Sequence, residues 1–145
     1  MHKGSKMMMN PAQTTIGTAL WRGLRGKCPN CGEGHLFRKF VKVADACNHS
    51  CNHCGEDFHH HRADDFPAYL VIILVGHIIV PLAMYVEVVY SPAYWIQAAL
   101  WLPLILGMSV GLLQPVKGAV VALQWHTGMH GFAAAKQLRD KALYA

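Results

Sequence analysis

Two pairs of cysteines carry the most specific chemistry in this chain. Cys28-Pro29-Asn30-Cys31-Gly32 and Cys51-Asn52-His53-Cys54-Gly55 are CxxCG knuckles separated by 19 residues. Two residues between paired cysteines let both sulfurs reach one metal ion, and the following glycine permits the tight turn that aims backbone N–H groups at them. Four thiolates at about 2.3 Å complete a tetrahedron and leave no position for a substrate. The spacing therefore predicts a structural Zn2+ on Cys28, Cys31, Cys51 and Cys54, with an iron centre or a redox dithiol as the alternatives. So short a segment has little apolar core, which makes metal binding the main source of its folding free energy. Between the knuckles, Phe37, Phe40, Val41 and Val43 fit a short β-hairpin, and the whole reads as a small β zinc ribbon.

Further metal-ligating types lie outside that set. Cys47, His49, Cys51, His53 and Cys54 crowd five candidate ligands into eight residues. The symmetry of the knuckles favours Cys51 and Cys54, leaving Cys47 as a spare thiol, a spare ligand or a small partly buried side chain. His59, His60 and His61 are consecutive and so do not converge in helix or strand; a solvated linker near lipid head groups suits them. His126 and His130 are four apart, with Met129 beside them, and on one helix face they could hold a soft or borderline metal or contact a partner. His77 lies mid-way along an apolar run, with Pro81 four residues on removing the helical partner of its carbonyl. A carbonyl-bonded neutral imidazole, a haem or copper ligand, and a contact to a partner membrane protein are the three roles open to it. Asp64 and Asp65 precede that run and suit helix capping; adjacent carboxylates do not flank a substrate.

The elements that must position these residues follow from charge and hydropathy. The chain has 145 residues, 53% hydrophobic and 14% charged, with a net charge of +5. Soluble domains carry about 25% charged residues. Nine of the 13 Lys and Arg lie at or before Arg62, none between Ala63 and Val116, and four from Lys117 onward. Pro67 to Val86 and Ala93 to Leu113 are apolar runs long enough to cross a hydrocarbon layer of about 30 Å, and Ser91-Pro92 turns between them. They read as a two-helix transmembrane hairpin, with Tyr69, Tyr85, Tyr90, Tyr94 and Trp95 near its ends and Glu87 as an interfacial carboxylate. Basic residues on both outer flanks place both termini in the cytoplasm, and the absence of a cleavable signal keeps the cysteines in a reducing compartment.

The expected protein is thus mainly α and membrane-bound. Residues 1–26 form a tail with an interfacial helix near Thr14 to Arg25, 27–63 the cytoplasmic zinc ribbon, 64–114 the hairpin (helices about 67–89 and 93–113), and 115–145 an amphipathic cytoplasmic helix. In the last, Val120, Val121, Trp125, Met129 and Phe132 would pack on membrane or partner, while Gly128 and Gly131 mark a bend.

GLRGKCPNCGEGHLF (23–37), the second CxxCG, RADDFPAYLV (62–71), GHIIVP (76–81) and LQWHTGMHGF (123–132) together resemble the bacterial domain-of-unknown-function 983 family over roughly residues 20 to 135. The resemblance implies a small inner-membrane protein with a cytoplasmic zinc ribbon and two membrane helices. Family members are often encoded among genes for cytochrome oxidase subunits and their assembly factors, which implies an accessory role in respiratory-complex biogenesis and no established activity. Three functions compete. A non-enzymatic membrane accessory or assembly protein, held in the bilayer and docked on oxidase subunits, assembly factors or its own copies, needs no open site. A metal or haem handling protein would use His77 or the His126/His130 pair. Membrane-tethered nucleic-acid binding ranks last, because stacking aromatics are few and the basic residues suit anionic lipid equally well. No phosphate loop, nucleophile elbow or metalloprotease helix points to an enzyme.

Overall fold

The computed structural model describes residues 14–38, 50–59 and 65–144. Four α-helices account for most of them: α1 Ile16–Leu24, α2 Phe66–Tyr90, α3 Tyr94–Thr127 and α4 Phe132–Tyr144, with a 3-10 turn at Met129–Gly131 between the last two. Thr15 starts α1, its hydroxyl accepting the Thr18 N–H at 3.4 Å. Pro67 occupies the first turn of α2, where its missing N–H costs nothing. The Asp65 side chain makes no capping bond, contrary to expectation; its backbone carbonyl receives the Ala68 and Tyr69 N–H groups instead. Asp64 lies outside the described residues.

Helices α2 and α3 form a hairpin. Ser91 ends α2 in a left-handed conformation (φ 43°), with its backbone N–H and its hydroxyl both donated to the Glu87 carbonyl at 3.0 and 3.1 Å. Val71, Val75 and Ile79, spaced by four, line one stripe of α2 and pack on Trp101, Met108, Leu112, Leu113 and Val116 of α3. Most of the remaining hairpin surface is apolar and exposed: Val88 is 76% and Tyr94 88% exposed. Both helices are long and apolar enough to cross a membrane, with mean hydropathies of 2.3 and 1.9 over their most apolar windows.

At about 1.5 Å per residue, the 34 residues of α3 extend about 20 Å beyond a hydrocarbon layer of about 30 Å. That extension holds a second core. Val120, Val121 and Trp125 of α3 pack with Ala19 of α1, Cys28, Leu36, Cys51 and Phe58 of the cysteine segment, and Phe132 of α4. Gly23 of α1 and Gly118 of α3 meet backbone to backbone; a methyl group on either would collide with the other's carbonyl oxygen.

This arrangement differs from the sequence-based expectation in two ways. The second apolar helix does not stop near residue 113; Pro115 is accommodated and the helix runs on to Thr127. Val120, Val121, Trp125 and Phe132 face the protein's own core instead of lipid or a partner, because α1 and the cysteine segment fold over them. Among the described residues the cysteine segment has no β-strand, only the isolated bridges Lys27 to His35 and Ser50 to Asp57. Phe40, Val41 and Val43 of the expected hairpin lie outside the described residues.

Candidate metal centre

Each knuckle is a turn closed by its own backbone. Gly32 donates to the Cys28 carbonyl at 2.8 Å and Gly55 to the Cys51 carbonyl at 3.0 Å. Both glycines hold left-handed φ angles, 75° and 73°, that side-chain-bearing residues adopt at a cost. Beyond each turn the chain doubles back: Cys28 N–H bonds Gly34 O at 2.7 Å, and Cys51 N–H bonds Glu56 O at 2.8 Å. Further N–H groups point at sulfur, from Gly34 to Cys31 at 3.5 Å and from His53 to Cys51 at 3.4 Å.

The sulfur atoms of Cys28, Cys31, Cys51 and Cys54 all lie within 4.8 Å of one another. Cys28 and Cys54 sulfurs are 3.7 Å apart, and Cys31 and Cys51 sulfurs 3.8 Å. A tetrahedron with metal–sulfur arms of about 2.3 Å has edges of about 3.8 Å, whereas a disulfide needs about 2.05 Å. The donor set thus fits an ion such as zinc, and the four thiols are unpaired covalently. Once an ion is bound, these cysteines hold the two knuckles together, and its chemistry there is structural. As thiols they are unequal: the hydrogen bond from Cys28 holds Cys54 down to about 4, aided by the Glu56 N–H against burial. The same bond, with burial, pushes Cys28 up, and burial pushes Cys51 up.

A shell of polar residues fixes the cluster to the helices. Arg22 of α1 donates from one guanidinium nitrogen to Pro29 O at 3.1 Å and Asn30 O at 2.9 Å, clamping the first knuckle. The Asn30 amide lies 3.7 Å from Cys54 sulfur and donates to Glu56 at 3.1 Å. The other Glu56 oxygen accepts the Trp125 indole N–H at 3.0 Å. Lys136 of α4 lies 4.3 Å over the Trp125 ring and donates to the Trp125 carbonyl at 2.5 Å. A chain of contacts therefore runs from Cys54 through Asn30, Glu56 and Trp125 to Lys136.

The knuckles extend to CxxCGE, and the two glutamates have different fates. Glu33 is 70% exposed at its side chain and meets His53 of the other knuckle at 2.9 Å. Glu56 is 8% exposed and bonded to Trp125 and Asn30. Sequence reasoning missed Arg22, Asn30, Glu56 and Trp125 as the support of the cluster. The repeated glutamate was the available signal, but nothing local distinguishes the buried copy.

The remaining candidates do not join the cluster. His77 sits on the exposed side of α2 with Nδ1 2.8 Å from the Ile73 carbonyl. A carbonyl only accepts, so Nδ1 is the donor in this contact. His126 and His130 do not share a continuous helix: α3 ends at Thr127, and Gly128, His130 and Gly131 take φ angles of 72°, 53° and 97°. The glycines end the periodicity that their spacing presupposes. His59 is exposed, its N–H donated to Asp57 at 2.8 Å; His60, His61 and Cys47 lie outside the described residues. Glu87 is tied to α3 by the Gln97 amide, and Gln97 in turn accepts the Trp101 indole N–H at 3.2 Å. Among the described residues the four cysteines are the one group of three or more metal-ligating side chains with converging atoms.

A bare apolar hairpin at one end and a four-cysteine head at the other define a small helical protein of membrane-like build with a candidate metal centre. The chain belongs to the DUF983 family, described as proteins of unknown function, whose model matches residues 37–125. The match spans the second knuckle, α2 and α3 as far as Trp125, and begins after Cys28 and Cys31. No curated protein and no solved structure matches the chain.

Proposed function

We propose that this chain is a non-enzymatic integral membrane accessory or assembly protein, in which a zinc-bound head is displayed at one face of a two-helix membrane anchor. The observation that carries this is the closed donor set: four sulfurs at tetrahedral spacing leave no coordination position for a substrate. Support for the anchor comes from α2 and from α3 up to Leu113, where large apolar side chains are bare and no Lys or Arg occurs. Arg22, Arg25, Lys27, Arg38 and Lys117 all belong to the head end, and positive charge favours the cytoplasmic side. We therefore place the head and both termini in the cytoplasm and the Ser91 turn across the bacterial inner membrane. The partner implied by the family resemblance is a respiratory oxidase subunit or assembly factor, engaged through the head.

A second reading, haem or copper handling, is favoured by the exposed position of His77, whose Nδ1 is engaged by the Ile73 carbonyl. Elemental analysis and an optical spectrum of untagged protein, purified in detergent from carbonate-washed membranes, test both. One zinc per chain with a featureless visible spectrum is expected. Copper or a haem band lost in His77→Ala would replace the proposal by the second reading, and release of the chain by alkaline carbonate would overturn the anchor.

A further inference from the structure

The head meets the hairpin at a cleft of about 220 Å³ lined by Leu24 and Arg25 at the end of α1, His35 and Phe37 beyond the first knuckle, and Gln114 and Pro115 of α3. Its location is informative. Gln114 and Pro115 directly follow the apolar run that ends at Leu113, so in a membrane the cleft lies at head-group depth. Its lining is divided: Leu24, Phe37 and Pro115 are apolar, Arg25 is a permanent cation, His35 and Gln114 supply polar groups, and no lining residue is acidic. The Arg25 guanidinium lies 4.5 Å over the exposed Trp21 ring, an arrangement suited to an interface that is wet on one side and apolar on the other.

The end of α1 would ordinarily repel an anion through its unpaired carbonyls. Here Trp21 O, Arg22 O and Gly23 O receive the N–H groups of Arg25, Lys27 and Gly26 at 3.3, 2.9 and 2.9 Å. With those carbonyls engaged, Arg25 is the one permanently charged side chain in the lining. The volume is below the roughly 300–1,000 Å³ of sites that enclose a drug-sized molecule; it suits a phosphate head group whose acyl chains continue along the bare surface of the hairpin.

We propose that this cleft binds the phosphate head group of an anionic phospholipid, with Arg25 as the charge partner, and so sets the depth of the head at the membrane surface. The inference rests on the chain crossing a membrane. The test uses full-length protein reconstituted in phosphatidylcholine vesicles doped with phosphatidylglycerol, then mild detergent extraction and native mass spectrometry to count retained phosphatidylglycerol. Wild type should retain one, and Arg25→Gln should lower its affinity about fivefold, the effect of one basic side chain at an anionic surface. Arg25→Lys should restore most of it, and Lys141→Gln, far along α4, should leave it unchanged. Equal retention in Arg25→Gln and wild type overturns the proposal, as does an equal loss in Lys141→Gln, which would signify nonspecific charge. Displacement of the lipid by inorganic phosphate at matched concentration would assign the site to free phosphate instead. Metal content of each variant reports folding of the head. Carbonate extraction separates the two failures: a wild-type chain that leaves the membrane overturns anchor and cleft together, whereas one that stays but ignores Arg25→Gln overturns the cleft alone.

Discussion

Helix α3 belongs to two environments. From Tyr94 to Leu113 it packs on α2 along one stripe and otherwise carries large apolar side chains that the described residues leave exposed, Tyr94 being 88% exposed; from Lys117 to Trp125 it is mostly buried, with Trp125 0% exposed. The covered half contains the polar residues Lys117 and Gln124, and the bare half contains no charge. A soluble protein would distribute these the other way, hiding the apolar half first. The contrast fits the proposed membrane anchor, in which one helix would be matched to two solvents, with the protein's own core packed around its covered half. It also separates two sets of contacts: helix packing for the hairpin, and for the head a four-cysteine cluster with buried hydrogen bonds.

The largest expected effect comes from the metal ligands. Cys28→Ser or Cys51→Ser should abolish stoichiometric zinc and unfold the head while the hairpin remains helical, because metal closure in such domains contributes roughly 10 kcal/mol or more. Elemental analysis with hydrogen exchange resolved by segment checks it; normal protection of the head in a metal-free variant would show that the two ends are not separately stabilised. The sign of the pH dependence follows from the thiols. Cys28 and Cys51 are pushed up and hold their protons, so metal binding must expel them, and zinc affinity should rise with pH and fall as the solution is acidified.

An intermediate effect is expected at the join. Trp125→Ala removes the largest buried side chain of the head and takes the indole N–H from Glu56, at a cost of about 3–5 kcal/mol. Thermal unfolding in detergent should show the head transition falling well before the hairpin's. Coincident loss of both would mean that the ends are one cooperative unit.

The smallest effect should come from the bare half. Leu102, 66% exposed, would cost about 2–5 kcal/mol on truncation to Ala if it were in a soluble core. If it faces lipid, as the proposed anchor requires, where acyl chains are as apolar as leucine, Leu102→Ala should cost less than about 1 kcal/mol. Chemical denaturation in micelles measures it, and a loss near the core value would show that another protein surface covers this face.

What was legible in the sequence was local. The four ligands are set by two short repeats with a glycine where the turn needs positive φ, and the two long helices by composition over some twenty residues each. Both signals act within a turn or a helix and need no knowledge of the rest of the chain. The relation of the parts was not legible. Glu33 and Glu56 stand at equivalent repeat positions, yet one is exposed and the other is buried against Trp125, 69 residues away. The spacing of His126 and His130 suggested a shared helix face, but α3 ends between them at the Gly128 cap and His130 itself takes a left-handed φ. Trp125 and Val121 looked like a surface for membrane or partner because an apolar stripe records only that something covers it. The tertiary structure decided what does: contact between Gly23 and Gly118 brings α1 onto α3, and long-range packing, which no local pattern encodes, places the cysteine head over the stripe.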